Sequence, residues 1–114
     1  MIQNGVYKSY FNDNEIENAL KDDIKKKIVK EIKKRCKKIK GVRRITSLIE
    51  IEGIDGVYFI EGYVSVKLQK GLVNIDLIMK LVKKEIDGTI EYITNKYFPN
   101  IKVQPQYIST YPSL

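Results

Sequence analysis

Apolar residues recur at steps of three and four from Ile16 through Ala19, Leu20, Ile24, Ile28, Ile32, Cys36 and Ile39, the spacing of one helix face. Asp13 or Asn14, followed by Glu15 and Glu17, predicts the start of this helix. Acids in a first turn complement the positive end of the helix dipole. Gly41 predicts its stop, in the left-handed conformation that often ends helices. Asp22 offers a second cap, so the pattern also allows a break near Lys21–Asp23. From Val42 to Glu52 the period falls to two, with Ile45, Ser47, Ile49 and Ile51 on one face of a strand. Gly53-Ile54-Asp55-Gly56 reads as a four-residue hairpin loop. The return strand, Val57 to Gln69, turns Tyr58, Ile60, Gly62, Val64, Val66 and Leu68 one way and Phe59, Glu61, Tyr63, Ser65 and Lys67 the other. One face meets a core; the mixed face is either solvated or a contact surface.

Lys70-Gly71 turns the chain, with Leu72-Val73-Asn74-Ile75 as a short extension and Asn74 or Asp76 as the next helix cap. The second helical stripe is Ile78, Val82, Ile86, Ile90, Ile93 and Tyr97, flanked by Leu77 and Leu81. Gly88 interrupts it, so it reads either as one helix with a weak point or as two meeting at Asp87-Gly88. Pro99 ends it. Asn100 to Ile108 is a last strand, and Pro105 assigns that strand to a sheet edge or a bulge. The expected organisation is an aromatic N-terminal arm over 1–12 (Tyr7, Tyr10, Phe11), one domain over 13–109, and a tail over 110–114 containing Pro112. The fold class is α+β in two layers, helix–strand–strand–helix–strand, with both helices on one face of a small sheet.

Charge changes this picture most. Of 21 Lys and Arg residues, thirteen lie between Lys21 and Arg44, against Asp22, Asp23 and Glu31 as the only acids there. The formal +7 of the chain is therefore the property of one basic amphipathic helix on a slightly acidic remainder. Such a field attracts polyanions: nucleic acid, an anionic membrane surface or an acidic protein. The polyanion-binding candidates are Lys25, Lys26, Lys27, Lys30, Lys33, Lys34, Arg35, Lys37 and Lys38, with Arg43 and Arg44 at the strand entry. Lys outnumbers Arg, which favours a diffuse field over bidentate recognition. The competing reading is a solvated face in a chain rich in Lys and Ile throughout.

Composition supplies little other chemistry. Hydrophobic content of 43% with 31% charged residues is that of an ordinary globular domain. His is absent, which removes the commonest general acid/base and metal ligand at neutral pH. The single Cys36 cannot form an internal disulfide or a multi-thiolate site, and it continues the apolar stripe. Glu50/Glu52, Glu15/Glu17 and Asp87/Glu91 sit at spacings common on solvated faces. No catalytic residue, metal site, cofactor or small-molecule substrate is inferred, and no enzymatic activity is expected. No leader or spanning segment is visible, so the expected location is cytoplasmic, with membrane association only through a partner. Gly53-Ile54-Asp55-Gly56 spells the GxxG of KH domains, but that loop joins two helices and usually carries a basic residue, whereas this one joins strands and holds Asp55. Phe59 and Tyr63, on the mixed strand face, are the partner-interface candidates.

From Ile28 onward the pattern resembles the alkaline-shock-protein family of Gram-positive bacteria, the Gls-type envelope-stress proteins. The matching pieces are Lys40-Gly41-Val42, the strand Tyr63-Val64-Ser65-Val66-Lys67-Leu68, the turn Lys70-Gly71-Leu72-Val73-Asn74-Ile75, the helix Ile78…Val82…Ile86…Ile90 and the strand Asn100-Ile101-Lys102-Val103. The chain departs from the family in its basic first helix, its N-terminal arm and its Tyr97-Phe98-Pro99. The resemblance implies a non-enzymatic, self-associating protein recruited to the membrane through an anchor protein. The alternative expectation is a nucleic-acid-binding protein that contacts phosphates through the Lys-rich helix.

Overall fold

A computed structural model describes residues 13–71 and 74–113, except for the side chains of 13, 14 and 105–107. The expected arm over 1–12 and Leu72-Val73 of the expected extension lie outside the described residues, while Asn74 and Ile75, expected to complete that extension, instead form the start of a helix. The elements are α1 (Asp13–Cys36), β1 (Val42–Ile54), β2 (Val57–Leu68), α2 (Ile75–Tyr97) and β3 (Lys102–Ser113). β1 and β2 form an antiparallel hairpin, and β3 joins the other side of β2 in parallel, giving the order β1-β2-β3. Such a parallel neighbour needs a long crossover, which α2 supplies.

The core lies between the sheet and the helix pair. Ile24, Ile28, Ile32 and Cys36 of α1 are completely buried, as are Ile49 of β1, Ile60, Val64 and Val66 of β2, and Val82 of α2. Ile45 pairs with Val66 and Ile51 with Ile60, so the apolar alternations of the two strands fall on the same face. Both helices cover that face, and the fold is two-layer α+β. No helix among the described residues is long and apolar enough to cross a membrane.

Boundaries differ from the sequence expectations in instructive places. α1 runs unbroken past Lys21–Asp23, because Asp22 and Asp23 pair with Lys26 and Lys27 one turn on instead of capping a new helix. It ends at Cys36 rather than at Gly41: Lys38 N–H donates to the Arg35 carbonyl and Ile39 N–H to that of Cys36, tightening the chain into i→i+3 turns before β1. The hairpin loop has two residues, not four. Ile54 still pairs with Val57, leaving Asp55 (φ 51°) and Gly56 (φ 78°) as the turn, and two successive left-handed residues suit the right-handed twist of a tight hairpin.

α2 is one helix through Gly88, whose absent side chain leaves room beside Arg35 of α1. Asn74 precedes it without a side-chain capping bond. Tyr97, expected on its buried stripe, is 36% exposed, and Phe98 takes the core position at 6%. β3 runs on to Ser113, where a tail over 110–114 was expected. Pro112 is tolerated there because β3 is an edge strand, and Pro105 falls beside a register shift, since Ile60 pairs with Pro105 but Glu61 with Tyr107.

Candidate functional site

The helices cover only one side of the sheet, and on the other side the strand register arranges side chains in rows. Arg44 stands directly opposite Lys67. Two residues along β1, Thr46 lies beside Ser65 and Tyr111; the next row is Leu48, Tyr63 and Ser109. Glu50 then stands opposite Glu61, and Glu52, Phe59 and Gln104 follow. The middle rows mix Leu48, Tyr63 and Tyr111 with the small hydroxyl residues Thr46, Ser65 and Ser109, and no described element covers them: Leu48 is 45% exposed, Tyr63 36% and Tyr111 42%. The rings of Tyr63 and Tyr111 lie 5.9 Å apart at 33°, within the range of favourable aromatic pairs. Phe59 is half-buried on the same face.

Two like-charge pairs frame this aromatic strip, a basic one (Arg44, Lys67) and an acidic one (Glu50, Glu61). Like charges directly opposite in an antiparallel pair oppose folding. None of the four has an ion-pair partner within 4 Å among the described residues.

The basic helix is a separate surface on the other side of the molecule. Its cations divide into two groups. Lys27 is bonded to Asp23 and lies over the Tyr97 ring (5.1 Å), while Arg35 Nε donates to Glu31 at 2.8 Å and lies over the Tyr92 ring (5.0 Å). These two belong to the seam between α1 and α2 and are not free for an external partner. Lys96 completes that seam, donating to the Tyr92 hydroxyl at 2.9 Å, a bond that raises its pKa and holds it cationic. The Arg35 hydrogen bond, aided by the fields of Lys34, Arg35 and Lys38, holds the Glu31 carboxyl below its ordinary value.

Lys26 is exposed but paired to Asp22 at 2.9 Å, and Lys25 is half-buried. Lys30, Lys33, Lys34, Lys37 and Lys38 are exposed and have no ion pair among the described residues. Arg44 does not join them, because the strand pleat turns it to the open sheet face. Arg43 lines a cleft with Lys67, Lys70 and Ile75 at the strand entry.

Of the predicted residues, Tyr63 therefore lies at the centre of the uncovered strip and Phe59 at its margin. Sequence reading missed Leu48, Tyr111 and the two charge pairs. Alternation alone assigns Leu48 to the mixed face; Tyr111 was hidden by reading the end of the chain as a tail, and the charge pairs depend on register. Cys36 is fully buried, and burial, with the Glu85 carboxylate nearby, pushes its thiol up to about 11, so it stays protonated at neutral pH. No group of three or more Cys, Asp or Glu among the described residues is placed to hold a metal ion.

No family model matches the chain, and no curated protein matches it. Among solved structures, a nickel form of a MamM CTD variant overlaps at TM-score 0.41 and 11% identity, over 76% of this chain and 96% of that one. A second MamM CTD variant overlaps at TM-score 0.42 and 11% identity, over 76% and 95%. Overlap at this level says nothing about function.

Proposed function

We propose that this chain is a non-enzymatic, self-associating interaction module whose contact surface is the open face of its sheet. The observation that carries the reading is the uncovered strip of Leu48, Tyr63 and Tyr111, flanked by charge pairs that find no partner within the described chain. An apolar patch rimmed by polar groups is the usual form of a protein contact surface. The basic helix lies on the far side of the sheet, where it can face an anionic surface while the open face is occupied. The order of elements is also the layout expected from the alkaline-shock-protein resemblance, which supports a cytoplasmic, envelope-linked role reached through an anchor protein. Sedimentation over a concentration series tests the reading: mass should rise with concentration, and Tyr63→Ser with Leu48→Ser should hold the chain monomeric. A wild-type chain that remains monomeric at every concentration would remove self-association.

A second reading, binding of nucleic acid through α1, is favoured by Lys30, Lys33, Lys34 and Lys37, which are exposed and have no ion pair among the described residues. Fluorescence anisotropy with duplex and single-stranded oligonucleotides across a salt series tests it. Binding at about 0.15 M salt with a steep log–log slope supports phosphate contacts by α1, provided that changing these four lysines to Glu abolishes it. Binding that survives the change, or no binding at that salt, overturns it.

A further inference from the structure

We infer that the partner of the open face is a second copy of this chain, docked face to face about a two-fold axis that lies between the sheets and perpendicular to the strands. The inference rests on the self-association reading above and adds its geometry. The basic pair Arg44/Lys67 and the acidic pair Glu50/Glu61 lie on the same face at opposite ends of the row of Leu48 and Tyr63. Their midpoint falls between the Thr46 and Leu48 rows, about three residues or roughly 10 Å from each pair.

Two face-to-face arrangements with two-fold symmetry are available to stacked sheets. An axis parallel to the strands sets each charge pair against its own copy, basic on basic and acidic on acidic. An axis across the strands reverses one sheet end for end. Arg44 then lies over Glu50 of the other copy, and Lys67 over its Glu61, because each strand stacks on its own equivalent. The pattern is self-complementary only in the second arrangement, and charge complementarity of this kind fixes register and excludes wrong alignments. It also answers the like-charge opposition that each chain carries alone: each unfavourable cross-strand pair acquires two opposite charges. The cation excess on α1 does not oppose this docking strongly, since the two α1 helices end up on the outer sides of the pair, separated by both sheets.

The test uses charge reversal in the full chain. Glu50→Lys with Glu61→Lys makes both ends of the strip basic, and Arg44→Glu with Lys67→Glu makes both acidic. Each double variant should self-associate at least about tenfold more weakly than wild type. An equimolar mixture of the two should restore association as a heterodimer, and the quadruple reversal should restore a homodimer. Circular dichroism melts of the monomeric variants establish that each is folded, and recovery in the mixture shows the same independently. Double variants that associate as well as wild type, while Tyr63→Ser with Leu48→Ser stays monomeric, would overturn the two-fold register yet leave the open face as the contact surface. Failure of the mixture to recover also overturns the register. A monomeric wild type overturns both the register and self-association, leaving the face to a partner of another kind.

Discussion

On the covered face of the sheet Ile49, Ile60, Val64 and Val66 are completely buried, while one residue along the same strands Leu48 is 45% exposed and Glu50 stands directly opposite Glu61. The two faces share a backbone and a register but answer to different constraints. On the covered side volume decides: the completely buried positions, Ile49, Ile60, Val64 and Val66, are all β-branched aliphatics that fill the space beneath two helices. On the uncovered side, aromatic rings lie exposed between charge pairs of like sign, an opposition that disfavours folding of the single chain. The pleat thus separates two environments, and neighbouring residues of one strand answer to one or the other.

That separation can be broken at chosen points. The largest loss is expected from Ile60→Ala, which should cost about 2–5 kcal/mol in chemical denaturation because the cavity sits where sheet and helices meet. Gly62→Ala should follow at about 1–3 kcal/mol. Gly62 has φ 147°, and a Cβ there would collide with the Leu48 carbonyl oxygen of the paired strand, so β1 has to shift. A gain is expected from Gly88→Ala on the covering layer. Its new methyl meets only the flexible Arg35 side chain, at 3.4 Å, and the melting point should rise in line with about 0.5–1 kcal/mol. On the uncovered face Tyr63→Ser should change the stability of the monomer by less than about 1 kcal/mol, although it removes a ring. If it unfolds the chain, the face belongs to the fold and not to a partner.

The smallest effect is pH-dependent. Because Glu31 is held below the ordinary carboxylate value, its contribution is complete above the unfolded-state value and is lost as pH falls through the lower folded one. Arg35→Gln should flatten that part of the acid limb in a pH series of melts.

Most of the fold was legible in the sequence because the period changed cleanly, from steps of three and four through Ile24, Ile28 and Ile32 to steps of two through Ile45, Ser47 and Ile49. Both strand faces and both helix stripes follow from that alone. What failed was punctuation. Asp22 and Asp23 resemble a cap until their i,i+4 lysines are considered, and Pro112 masks the end of β3, which tolerates it because the strand lies at the sheet edge. The candidate site was half legible. Tyr63 and Phe59 could be assigned to the mixed face by alternation, but that Arg44 meets Lys67, or Glu50 meets Glu61, depends on a two-residue turn where four residues were expected. The basic helix was legible as composition, while the withdrawal of Lys27 and Arg35 into the seam required the neighbouring tyrosines of α2.

The parallel ladder between β2 and β3 has a further consequence, for the order of assembly. The β1–β2 ladder closes through a tight turn, whereas β3 reaches β2 only after the whole of α2 has been laid across the sheet. Loop-closure entropy is therefore met at different stages, and β3 should dock late. Until it does, the outer edge of β2 offers unpaired amides and carbonyls to any neighbouring chain, so the interval before α2 settles is when misassembly is most accessible.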